Sequence, residues 1–218
     1  MLDIQMTLMR RAVCMLLIVC GFSIQIRAET RTLALYVRQN ESLPLRTTQT
    51  AQSELRRLFD PVGIDLVWKD FSERKIGENF DFVAIASIAG SCTPSEQHAI
   101  GRSILPALVS LADTSVSKNN VFPFFTVNCD RLVAAMGNQT PSVIMGRALA
   151  HLIGHELYHI IAKTTEHQHA GIAKAVFTFQ DLVSPGLEFD FTARVKMRAP
   201  PSIARSGRRL RPNARFAS

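Results

Sequence analysis

The sequence predicts a mixed α/β (α+β) domain in which a small mixed sheet packs on one long helix. Three observations carry that expectation: strand-like and helix-like segments alternate early in the chain, an uninterrupted helical pattern follows Pro141, and an HExxH run lies inside that pattern. Alternation of this kind favours a layer whose early strands are parallel, and the long helix supplies a second layer.

Residues 1–28 read as a targeting segment and stand outside the fold. Arg10 and Arg11 form a positive start, residues 12–26 are mostly apolar, and Ala28 offers a small residue for cleavage. The apolar run falls short of the about 20 residues that a spanning helix needs. A cleaved signal and a secreted or periplasmic protein without a stable membrane span are therefore expected, an uncleaved anchor being the alternative.

Residues 32–37 suit a strand. Residues 47–59 place Ala51, Leu55, Leu58 and Phe59 on one helical face and stop before Pro61. A second strand at 64–68 is introduced by Gly63, and the nearly continuous apolar run at 80–86 reads as a buried strand. Residues 108–116 and 121–128, separated by Ser-Lys-Asn-Asn, form a hairpin or an edge strand, and 130–136 a short helical link. Thr140 is the expected N-cap and Pro141 the first helical residue, where a missing N–H costs nothing. From there no proline interrupts the chain to Lys163. Ile153, Leu157, Ile160 and Ile161 mark one face, and His151, His155 and His159 fall roughly opposite, so the helix is expected to be buried on one side and to line a cleft on the other.

Residues 29–197 then make one domain, long enough for a substantial core, expected as a monomer. Its charge is close to balanced, with 14 basic and 17 acidic groups in 29–190, whereas 191–218 carry eight Lys or Arg and no acid. The formal net charge of +7 thus belongs to the C-terminal end. Residues 198–218 read as a basic, solvated, disordered tail, and no specific nucleic-acid partner is implied. In an oxidising compartment Cys92 and Cys129 are expected to pair, two separate buried thiols being the alternative.

HExxH is the sharpest signal. Chance occurrence anywhere in a chain of this composition is below about one in a hundred. Residues four apart share a helix face, so the imidazoles of His155 and His159 converge on one ion while Glu156 sits beside it. A catalytic zinc takes three protein ligands, keeps one position open for water, and lowers the pKa of that water to about 7. Glu156 is the expected base. His167, eight positions after His159, is the leading third ligand, with His169, or Glu188 or another distant carboxylate, as alternatives. His151 is expected to hydrogen-bond a carboxylate or line the cavity, Glu166 to be a solvated loop residue, and His98 to be structural. Of the two tyrosines, Tyr36 and Tyr158, only Tyr158 lies in the motif, where packing is its expected role.

Residues 146–173, GRALAHLIGHELYHIIAKTTEHQHAGIA, resemble the zincin metallopeptidases, and more narrowly the metzincin-like secreted bacterial proteins with HExxHxxxxxxxH followed by Gly-Ile-Met. The resemblance implies a zincin-like fold, Zn2+ held by His155, His159 and His167, Glu156 as catalytic base, and a turn beneath the metal at Gly171 and Ile172. It also implies a peptide or protein substrate, for which 121–127 is a candidate wall that holds an extended chain as an added strand, core packing being the other reading of that segment. Two positions depart from the family pattern. The third histidine usually lies six after the second, where this chain has Thr165, and the methionine of the turn is Ala173. The expected function is a secreted zinc metallopeptidase; the alternatives are a non-catalytic zinc-binding protein on the same fold and an envelope-associated protein with a structural site.

Overall fold

Apolar residues on both faces of β1 (Arg31–Gln39) place it in the middle of the molecule: Leu33, Ala34, Leu35, Tyr36 and Val37 are all 3% exposed or less. The computed structural model describes residues 30–39, 41–93, 110–118, 120–137 and 139–199. The N-terminal segment read as a signal, His98, and the tail beyond residue 199 lie outside these residues.

β1 pairs in parallel with β2 (Ile64–Asp70) on one side and β3 (Phe82–Ala89) on the other. β3 pairs in parallel with β5 (Asn120–Asn128), and β4 (Ala112–Ser117) closes the sheet as the antiparallel hairpin partner of β5. The sheet order is β2-β1-β3-β5-β4, a mixed sheet whose early strands are parallel as expected. Of the two arrangements expected for 108–128, the hairpin is the one formed, with β5 inside the sheet and β4 at its edge. The reason is register. Val121, Phe125 and Val127 are buried in the core, and a strand with that much apolar surface gains from a neighbour on each side, whereas β4 is short and largely exposed.

α1 (Leu45–Phe59) buries the predicted face of Ala51, Leu55, Leu58 and Phe59, and ends at Asp60-Pro61. α2 (Cys129–Met136) follows β5 directly; Asn128 caps it by accepting from Arg131 N at 2.9 Å. The Cys92–Cys129 disulfide ties the start of α2 to the segment after β3. α3 (Ser142–Ala162) carries HExxH, and α4 (Phe179–Val183) and α5 (Phe191–Arg198) complete the chain. No helix among the described residues is long and apolar enough to cross a membrane.

Two expectations for α3 are corrected. Thr140 does not cap it: its hydroxyl donates back to Met136 O at 2.8 Å, and Pro141 takes the N-cap position with extended backbone. Nor does the helix keep a cleft-lining face. Every residue from 145 to 161 except Arg147 is buried, because the sheet, α1, α4 and α5 surround the helix. Gly146 allows the closest of these approaches. A Cβ there would lie 2.5 Å from Thr47 O, so the α1 and α3 backbones meet at that point. A helix enclosed on all sides can bury polar side chains only where partners meet them, and at its C-terminal end those side chains are histidines.

Candidate metal centre

α3 places His155, Glu156 and His159 by its own periodicity, and the turn after it returns a third imidazole. Lys163 ends the helix in the left-handed conformation, φ 50°. The chain then runs out through His167 and back beneath the helix, where Gln168 N donates to Ala173 O at 2.8 Å and Ile172 N to Glu188 O at 2.9 Å. Gly171, at φ 71°, makes the return possible, since a Cβ there would meet Glu188 O at 2.3 Å. The return path builds the floor of the site from Ile172 and Ala173, both fully buried.

The His155 ring lies 4.8 Å from that of His159 and 5.2 Å from that of His167, centroid to centroid, and one ligand nitrogen from each of the three falls within 4.8 Å of the others. His155 and His159 are nearly buried, and His167 is exposed at the rim. His155 Nδ1 donates to Ile172 O at 2.9 Å, and His159 Nδ1 donates to Thr164 O at 2.8 Å. A neutral imidazole has one N–H, so each Nε2 is left with a bare lone pair. Those two Nε2 atoms stand 3.1 Å apart. Two buried lone pairs at that distance repel unless a cation lies between them, and backbone carbonyls that fix ring tautomers are a usual support for metal-ligating histidines. The trio therefore fits a metal ion on the chemistry of its own donors.

Ionisation agrees with that fit. Burial pushes His155 down to about 4, against the hydrogen bond to Ile172 and with help from the neighbouring His159 and His167. Burial also lowers His159 and His167. All three are held neutral, the form in which histidine binds metal. Burial raises the Glu156 carboxyl to about 7; a hydrogen bond from Thr114 opposes this and nearby Asp113 adds to it.

Other candidates from the sequence go elsewhere. His169 is exposed and outside the trio. The Glu188 carboxylate accepts from Arg57 at 3.2 Å, and its contribution to the site is the backbone carbonyl under Ile172. His151 is fully buried one turn before His155, with Nδ1 on Asp181 O at 3.1 Å and Nε2 on the Glu54 carboxylate at 3.3 Å, the carboxylate partnership expected of it. Glu166 is an exposed loop residue paired with Lys196 at 3.0 Å. Tyr36 is bound to Glu78, away from the trio, and Tyr158 is buried with its hydroxyl accepting from Gln168 Nε2 at 2.7 Å.

Sequence reasoning missed three residues. Thr114, on the edge strand β4, donates its hydroxyl to the Glu156 carboxylate. Phe177 stands edge-on to His155 at 5.5 Å between centroids, and Gln168 is the partner of Tyr158. None carries a spacing signal, since each reaches the site through tertiary packing. Compared with known proteins, the chain matches no protein-family model and no curated sequence.

Proposed function

We propose that this protein is an exported zinc-dependent metallopeptidase, with His155, His159 and His167 as metal ligands and Glu156 as general base. The observation that carries the reading is the pair of bare, buried Nε2 atoms 3.1 Å apart, with a third imidazole beside them and a buried carboxylate on the next residue of the helix. Among the described residues no fourth His, Cys, Asp or Glu joins the three. Three ligands and an open position are the composition of a catalytic zinc site, whereas structural sites close with four.

When bound, zinc supplies Lewis acidity that polarises a peptide carbonyl and acidifies a water. The protein's own part is positional. Thr114 holds Glu156 Oε2, leaving Oε1 to take the proton from water and return it to the departing amine. The outer edge of β4, which carries Thr114, has no strand partner among the described residues, and an extended substrate adds there as a sixth strand beside the base. This moves the proposed substrate wall from 121–127 to β4. The Cys92–Cys129 disulfide supports an oxidising, extracytoplasmic location.

The test is zinc stoichiometry together with cleavage of a peptide library by the full chain and by Glu156→Ala. Expected are one zinc in both proteins and cleavage only in the unmutated one. One bound zinc with no cleavage by either protein favours a non-catalytic zinc protein; no bound zinc refutes the site.

A further inference from the structure

The longer spacing between the second and third histidines raises the question of what holds the third in place. His167 lies eight positions after His159, and a turn of that length is costly to order unless its own contacts fix it. The turn is fastened on both sides of His167. Glu166 N donates to the Thr164 hydroxyl at 3.1 Å, and its carboxylate accepts from Lys196 of α5 at 3.0 Å. On the other side, Gln168 forms an isolated bridge to Lys174, and its side chain reaches inward to donate Nε2 to the Tyr158 hydroxyl at 2.7 Å. Tyr158 belongs to the same helix turn as His155 and His159, is fully buried, and lies with its ring 5.3 Å from that of His159.

We propose that Tyr158 is a positioning residue for the metal centre, acting through Gln168 to set His167 toward His155 and His159. The proposal rests on the metal reading above and adds the device that completes the ligand set. With Gln168 anchored against Tyr158, the backbone next to His167 is held beside the helix turn that carries the two imidazoles. His169 lies beyond the anchor and is left in solvent. Of the two fastenings the Lys196–Glu166 pair is the weaker, because it joins side chains 35% and 76% exposed, and such pairs contribute little. The tyrosine anchor is the buried one, and the helix that supplies two ligands also supplies the anchor of the third.

The test titrates the full chain with Co2+, following the visible d–d absorption, and with Zn2+ in competition against a chromophoric chelator. Tyr158→Phe is expected to bind Co2+ with at least about tenfold weaker affinity, the lower end of the loss seen when outer partners of metal ligands are removed. Its band intensity is expected to move toward that of His167→Ala, since one imidazole is no longer held. Gln168→Leu should reproduce both changes, and the double variant should cost no more than either single one, because both remove the same link. Gln168 is partly exposed on a turn, so its variant carries the test if Tyr158→Phe does not fold. Affinity and spectrum equal to those of the unmutated chain, in either variant, overturn the proposal. An unmutated chain without a cobalt band overturns the metal reading itself, which separates the two failures.

Discussion

Glu54→Gln, one helix away from the trio, tests whether α3 is held by the buried charge network behind it. Burial alone would raise the Glu54 carboxyl, but hydrogen bonds from His151 and Arg57 outweigh it and bring the group from 4.5 to about 2. His151 Nε2 lies 3.3 Å from that carboxylate and Arg57 NH2 2.7 Å. A group whose pKa is depressed on folding adds stability that is fully present above its unfolded value and is lost as pH falls toward the folded one. The fall from 4.5 to about 2 would correspond to about 3 kcal/mol at neutral pH without screening; solvent reaches the pair and reduces this to roughly 2 kcal/mol, declining to about half of that by pH 3. Other carboxylates with lowered values, Asp181 among them, lose stability in the same acid window. The quantity to read is therefore the difference between the two proteins. Urea unfolding of metal-free protein, followed by circular dichroism from pH 3 to pH 7, should show Glu54→Gln less stable by roughly 2 kcal/mol at pH 6 to 7, with the gap narrowing below pH 4.5. A gap that stays constant over the range, or no gap at pH 7, refutes the reasoning.

Three further outcomes are expected. His167→Ala should lose tight zinc binding while His169→Ala keeps about one zinc per chain, as read by metal analysis after dialysis; the reverse pattern would displace His167 from the site. Gly171→Ala should weaken zinc binding and lower the thermal midpoint, since its Cβ would meet Glu188 O at 2.3 Å and force apart the strand that presents Ile172 O to His155; an unchanged midpoint contradicts the close approach. Reducing the Cys92–Cys129 bridge, which closes a separation of 37 residues, should destabilise the protein by roughly 3 to 4 kcal/mol on the loop-entropy model, and denaturant midpoints with and without reductant measure it.

Much of the fold was legible because it is written in local period. β1, α1, β2 and β3 fall within a few residues of their expected bounds, and the turn around Lys118 joins β4 and β5 as a hairpin. Where the reading was left open or failed, a long-range term decided. Apolar residues of 121–127 look the same in an edge strand as in an internal one, and only the pairing of β5 with both β3 and β4 separates the two. His151 was expected on a carboxylate or on the cavity wall, and the carboxylate that meets it, Glu54, comes from another helix, as does Asp181 O. Thr140 was an eligible N-cap by type, but its hydroxyl found the closer Met136 carbonyl at the end of α2.

The sequence by itself determined two imidazoles and a carboxylate at the C-terminal end of one helix. Residues 155, 156 and 159 have a fixed relation on any α-helix, and nothing distant can change it. It also left three residues eligible as the third ligand, because beyond Lys163 no helical period relates one side chain to the next. Tertiary structure brings His167, and neither of the others, to the pair. The backbone bonds from Gln168 to Ala173 and from Ile172 to Glu188 fold the chain back under the helix, and the Tyr158 hydroxyl turns Gln168 inward, so His167 meets the pair while His169 faces water. The same distance in sequence hid Thr114, whose place beside Glu156 depends on an edge strand 42 residues away.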